Sequence, residues 1–167
     1  FNFHSWPEVG INDYEKFINN IDICGLKKEE INKVGWIGNI DTNYKRKIAY
    51  NISLKYSDYI EMIPMKWLKS NNIKLNSTNY ISTPELVSKY AILIDIEGRG
   101  YSGRTKHLLW SHRPLIIVDR KHKEYFYKYL KPWIHYIPVK SDLSDLIKIV
   151  KWCLENENHA KKIAENA

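Results

Sequence analysis

The sequence predicts an α/β fold in which a parallel sheet carries helices on both faces. Three observations predict it. Short apolar, largely β-branched runs at 34–38, 59–63, 91–96, 115–118 and 134–139 read as buried strands. Helical patterns separate them, and alternation of the two element types favours parallel strands joined by crossovers. Glycine turns follow two of the strands, at Gly38 and at 98–103, on the strand ends where ligands of such sheets bind.

Phe3, Trp6 and Pro7 form an aromatic entry segment. Residues 12–23 read as a helix, with Tyr14, Phe17, Ile18 and Ile21 at helical spacing and Cys24-Gly25 closing it. After the charged stretch 27–33, the strand 34–38 leads into the turn Gly38-Asn39, where Asp41 or Thr42 is expected to cap the next helix. Tyr44, Ile48, Ile52 and Tyr56 recur every four residues, so that helix is expected to pack through them. The strand 59–63 precedes an irregular, Asn- and Lys-rich loop over 64–82. Thr83 as cap and Pro84 at the first helical position open a short helix leading to the strand 91–96. A helix over 104–112 then presents Thr105, Leu108 and Leu109, and Pro114 stops it. Residues 124–130 form a short aromatic helix broken at Pro132. Ser141 or Asp142 is expected to cap a last long helix from Leu143, with Leu146, Ile147, Val150 and Leu154 in its buried stripe. The tail from Glu157 reads as one more helix.

Composition bounds the function. The chain has 167 residues, 44% hydrophobic and 13% aromatic, enough for a single domain with a core and too apolar for disorder. No apolar run approaches a membrane span. The first residue is Phe1 and no signal-peptide pattern follows, so a piece of a longer protein is expected. A formal charge of +7 fits phosphate-bearing molecules, nucleic acid or an anionic surface. The basic residues are scattered and the aromatics fall at core-like spacing, so nucleic acid is not expected as a partner. Cys24, Cys153 and six dispersed histidines show no metal-ligand spacing, and no metal site is expected. The sequons at Asn51 and Asn76 are ordinary in an Asn-rich chain.

The unit from Tyr90 to Asp119 carries the chemistry. Gly98, Gly100 and Gly103 match G-x-G-x-x-G, and Asp119 ends the next strand about twenty residues on, the spacing of an NAD fingerprint. Arg99 and Arg104 point elsewhere. A guanidinium is a planar, permanently charged fork suited to phosphate, and Arg104 is placed to clamp a nucleotide diphosphate. A third possibility is that the glycines serve only a tight turn.

Longer motifs add to this reading. Glu97-Gly98, Ser102, Arg104, Lys106 and Leu109 match an E/D-G-x-x-x-S-x-R-x-K pattern. Trp36-Ile37-Gly38-Asn39 matches a W-R/K-G-S/N turn, with Arg46 as the arginine that follows it. Tyr125 to Tyr127, Leu130 to Lys140 and Asp142 to Leu146 complete the set, with Phe3 and Trp6-Pro7-Glu8 at the start. In these motifs the chain resembles glycosyltransferase family 90, which includes Rumi-type protein O-glucosyltransferases, capsule-associated xylosyltransferases and lipopolysaccharide-modifying enzymes.

The resemblance implies a Rossmann-like C-terminal, donor-binding lobe of a GT-B fold over 12–167, with residues 1–11 as the segment between lobes. It implies inverting transfer of a sugar from a nucleotide diphosphate sugar, usually a UDP-sugar, to a glycan or protein hydroxyl, without a cofactor or an essential metal. Gly100, Tyr101, Ser102, Gly103 and Arg104 would hold the diphosphate, Gly38, Asn39 and Arg46 would approach it from the other loop, and Glu124 would contact the ribose. Two departures stand out. Ile37 occupies a position where the family carries a basic residue. The family's catalytic base is an aspartate of its N-terminal lobe, and none of Asp13, Asp22, Asp41 or Asp58 sits in the matching motif. An N-terminal acceptor lobe or a partner chain is therefore expected, and the fragment alone is expected to be inactive. Eukaryotic relatives work in the secretory lumen, while a microbial or viral source would imply the cytoplasm or virion. A non-catalytic nucleotide-sugar-binding module and an NAD-dependent oxidoreductase are the competing readings.

Overall fold

A computed structural model describes Pro7 and residues 11–65 and 80–167. The aromatic segment apart from Pro7, and most of the loop over 64–82, lie outside the described residues. The strands are β1 (Ile31–Gly38), β2 (Ile60–Pro64), β3 (Tyr90–Asp95), β4 (Leu115–Val118) and β5 (Ile137–Val139). The helices are α1 (Tyr14–Leu26), α2 (Tyr44–Lys55), α3 (Thr83–Lys89), α4 (Thr105–Leu109), α5 (Leu146–Glu155) and α6 (Glu157–Glu165).

The five strands pair in parallel in the order β2-β1-β3-β4-β5, a Rossmann-like α/β sheet as the sequence predicts. From β1 the chain winds outward to β2. It then crosses back to lay β3 on β1's other side, with Val34 opposite Ile92 and Gly35 opposite Leu93. The winding direction reverses between β1 and β3, so the loops leaving their carboxyl ends part and leave a crevice.

Side chains alternate along each strand and divide the core in two. On one face Val34, Trp36, Ile92, Ile94, Ile116 and Val118 meet Ala49 of α2, Leu146, Val150 and Cys153 of α5, and Ile163 of α6. On the other, Ile37, Leu93, Leu115 and Ile117 meet Ile21 of α1, Leu86 and Val87 of α3, and Leu108 of α4. Each fully buried Ile or Leu here contributes about 1.5–3 kcal/mol. Gly35 is required by this packing, since a Cβ there would lie 2.1 Å from Cδ2 of the Tyr90 ring.

Several local expectations give way to the structure. Tyr44 and Ile48 of α2 and Tyr56 at its C-terminal cap are 64%, 39% and 40% exposed, and Lys45, Ala49 and Ser53 are the buried stripe. Four-residue spacing fixes a helix face but not which face turns inward. Here the small Ala49 and Ser53 let α2 approach the sheet, while Ile52 alone of the expected set packs on the core. Asn43 caps α2 through Lys45 N, because a 3-10 turn over Ile40–Thr42, capped by Asn39, intervenes. Ser82, not Thr83, caps α3, in a reciprocal capping box with Glu85. The aromatic stretch 125–129 is a 3-10 turn rather than an α-helix. α4 stops at Leu109, well before Pro114, and His112 turns the chain at a φ of 56°. β5 is short because residues 131–136 fold into a turn around Trp133, whose φ is 63°. α5 begins at Leu146, and Leu143, at a φ of 62°, is buried ahead of it. Cys24 and Cys153 are both free and belong to opposite faces of the sheet.

Candidate anion-binding crevice

The floor of the crevice is the end of β1. Trp36 is fully buried there, with the Arg46 guanidinium 5.2 Å and the Arg104 guanidinium 5.8 Å from its ring centre. Gly38 must lack a side chain, because a Cβ would come within 2.8 Å of the Trp36 ring. The two arginines differ in what they hold. Arg46 donates Nε to the Glu97 carbonyl (2.9 Å), Nη2 to the Ile96 carbonyl (3.0 Å), and Nη1 to both the Asn39 carbonyl (3.1 Å) and Thr42 Oγ1 (2.8 Å). It ties the two crevice loops together and leaves one N–H. Burial, with Arg104 nearby, lowers its pKa to about 10. Arg104 makes one hydrogen bond among the described residues, from Nη1 to the Ile37 carbonyl at 2.8 Å. Burial lowers its pKa too, against the pull of Asp95. Most of its five donors therefore remain for a ligand.

The glycine loop is held from behind. Asp95 ends β3 with no exposed surface. Ser102 Oγ donates to its Oδ1 and Thr105 Oγ1 to its Oδ2, both at 2.6 Å, and Arg120 Nη1 reaches Oδ2 at 3.0 Å. Burial works against this charge, but Arg120, Arg104 and the two hydroxyls outweigh it and hold the carboxyl below the usual range. Beside it, buried Lys45 pairs with Glu97 at 2.7 Å and donates to the Asp119 carbonyl at 2.8 Å, and Asn43 Nδ2 donates to the Gly98 carbonyl at 2.8 Å. The Asp119 carboxylate is exposed and pairs with Lys123.

A cavity of about 690 Å³ opens between the two loops, the first half of α1 and residues 80–84. Gly38, Asn39, Arg46, Tyr101, Ser102, Gly103 and Arg104 line it, so seven of the nine residues singled out in the sequence converge. Gly100 and Glu124 are not on its wall. Glu124 sits among the charges of Lys106, Asp95 and Arg120, and burial raises its pKa. Ser102 faces the cavity, yet its proton is committed to Asp95. His107 also lines the cavity, 5% exposed, with the rings of Phe17 and Tyr14 at 5.1 and 5.7 Å. Burial, then Lys106 and Arg104, push its pKa down to about 4, so it is neutral at pH 7. Sequence reasoning missed Lys45, Asp95, Thr105 and Arg120 as supports. A carboxylate inside the apolar run YAILIDI was the available signal. Among the described residues no cluster of three metal-ligating side chains occurs, and no helix is long and apolar enough to cross a membrane.

Fold and site together define a Rossmann-like α/β domain with an arginine-lined crevice at its switch point. The profile of glycosyl transferase family 90 matches residues 1–167, and the chain belongs to that family. Human protein O-glucosyltransferase 3 is 39% identical over 77 residues, covering 46% of this chain and 15% of that protein. Rat protein O-glucosyltransferase 1 is 40% identical over 77 residues, covering 46% of this chain and 20% of that protein. Uncharacterized protein 179R of Invertebrate iridescent virus 6 is 36% identical over 110 residues, covering 61% of this chain and 9% of that protein. The matched region thus spans a fifth or less of these relatives' length.

Proposed function

We propose that this chain is the donor-binding part of an inverting glycosyltransferase that takes a sugar from a UDP-sugar and passes it to a hydroxyl acceptor. The observation that carries the proposal is Arg104. Its guanidinium stands at the mouth of the sheet's switch point, beside the glycine loop, with most of its donors uncommitted. A cavity of about 690 Å³ is within the size range of sites for small molecules. Membership in family 90 and similarity to proteins named O-glucosyltransferases support the same chemistry.

In this mechanism the acceptor oxygen attacks the anomeric carbon while the bond to the diphosphate breaks. Negative charge gathers on the leaving phosphate, and Arg104 with the N–H groups of Tyr101 to Gly103, which line the cavity, stabilises it there. Arg46 and Asn39 hold the opposite loop in place. A general base takes the acceptor proton. We assign that role to an acceptor lobe or partner chain. Asp13 lines the cavity, but its carboxylate caps α1 by accepting from Lys16 N at 3.0 Å.

Calorimetric titration with UDP, and with NAD in parallel, tests the proposal. UDP should bind the wild-type chain, and Arg104→Ala should weaken it at least about tenfold, the scale of a lost charge-assisted hydrogen bond. NAD binding without UDP binding would replace this reading with a dehydrogenase one.

A further inference from the structure

We propose that Asp95 is a positioning residue that sets the geometry of the anion-binding loop, an inference that rests on the donor-site reading above. Its carboxylate receives the hydroxyls of Ser102 and Thr105, seven and ten residues further on, each at 2.6 Å. Those two residues bracket Gly103 and Arg104, so the segment that must meet the anion is pinned to the end of β3 on either side. Tyr127 donates its hydroxyl to Thr105 Oγ1 at 3.3 Å, and the threonine proton faces two acceptors, Asp95 Oδ2 at 2.6 Å and the Ser102 carbonyl at 3.0 Å, of which the carboxylate is the nearer and the charged one.

A buried carboxylate behind a phosphate site would repel the phosphate. Arg120 offsets that charge. It bonds Asp95 Oδ2 at 3.0 Å and the Asp95 carbonyl at 2.8 Å, and its Nε holds the Val118 carbonyl at 3.1 Å. The pair is therefore fixed between β3 and β4 and close to neutral overall. Asp95, Thr105 and Arg120 are 0%, 0% and 3% exposed. Buried ion pairs are weak sources of stability, since apolar replacements are often neutral or better. What this pair supplies is a rigid acceptor with two oxygens, each aimed at a different loop hydroxyl.

Asp95→Asn would leave Arg120 unpaired in the interior and could unfold the chain, so the test is placed at Thr105, which does not line the cavity. Thr105→Val keeps the shape and removes the hydroxyl, whereas Thr105→Ser keeps the hydroxyl. Binding of UDP and of inorganic pyrophosphate is measured by calorimetry, with far-UV circular dichroism and thermal melting on the same samples. Thr105→Val should weaken both ligands about tenfold while remaining folded, and Thr105→Ser should stay within about twofold of wild type, as expected for one hydrogen bond to a charged group. Wild-type affinity in Thr105→Val, or an equal loss in both variants, would overturn the inference. If Thr105→Val does not fold, the neutral pair Asp95→Asn with Arg120→Gln decides by the same criterion. A wild-type chain that binds neither ligand would overturn the donor-site reading and this inference together. Wild-type binding that is indifferent to Thr105→Val overturns the inference alone.

Discussion

Lys45→Met is the substitution whose cost follows most directly from the geometry. Lys45 is 5% and Glu97 10% exposed in their side chains, with Nζ and Oε1 2.7 Å apart. The same ammonium holds the Asp119 carbonyl at 2.8 Å, so it joins the ends of β3 and β4 to α2. Methionine matches the volume but strands the Glu97 carboxylate. Leaving one member of a buried pair uncompensated costs about 3–5 kcal/mol. In a chain of this size each kcal/mol shifts the melting temperature by about 2–4 °C, so a fall on the order of 6–20 °C is expected. Urea denaturation followed by circular dichroism measures the cost, and Lys45→Met combined with Glu97→Leu should recover most of it. A single-variant loss under about 1 kcal/mol would refute the reasoning, because it would mean that the pair is solvated. A double variant no better than the single one would refute it as well, by placing the cost in the lost Asp119 contact.

The remaining predictions concern pH and packing. His107 has a folded pKa of about 4 against an ordinary value of about 6.5, so the unfolded state takes up its proton first as pH falls. Its contribution is fully present above the unfolded value and is lost between about pH 6.5 and 4, by about 3 kcal/mol. The slope of urea stability against pH in that window should flatten in His107→Phe, and an unchanged slope would remove His107 as its source. Gly35→Ala drives a methyl into the Tyr90 ring and should destabilise by about 1–3 kcal/mol or more. Gly35→Ala combined with Tyr90→Leu should recover part of that loss, and no recovery would locate the strain elsewhere.

How much of this was legible in the sequence depends on the range of the interaction responsible. β4 falls where the apolar run places it, and the strand, glycine loop and arginine at 90–104 were readable because strand pattern and turn chemistry are local. Even the convergence of the loops at Gly38 and Gly103 followed from topology once β1 and β3 proved to be neighbours. The facing of α2 was not readable. Tyr44 and Ile48 are the more apolar residues, yet Lys45 goes inward because Glu97, 52 positions away, receives its charge. The Asp95 network is of the same kind, since Arg120 comes from the neighbouring strand end, 25 residues on. Arg46 and Arg104 look alike in a motif, and only their hydrogen bonds show that one braces the loops while the other faces the cavity with donors to spare.

The central claim is that the crevice between β1 and β3 binds a nucleotide diphosphate, and the most direct test is an amide NMR titration of the isotopically labelled chain with UDP. The amide signals of Gly38, Tyr101, Gly103 and Arg104 should shift together with one saturation curve, while that of Gly25, packed against Ser111 away from the cavity, stays in place. Saturable shifts confined to another part of the molecule, or no shifts at millimolar UDP, would contradict it.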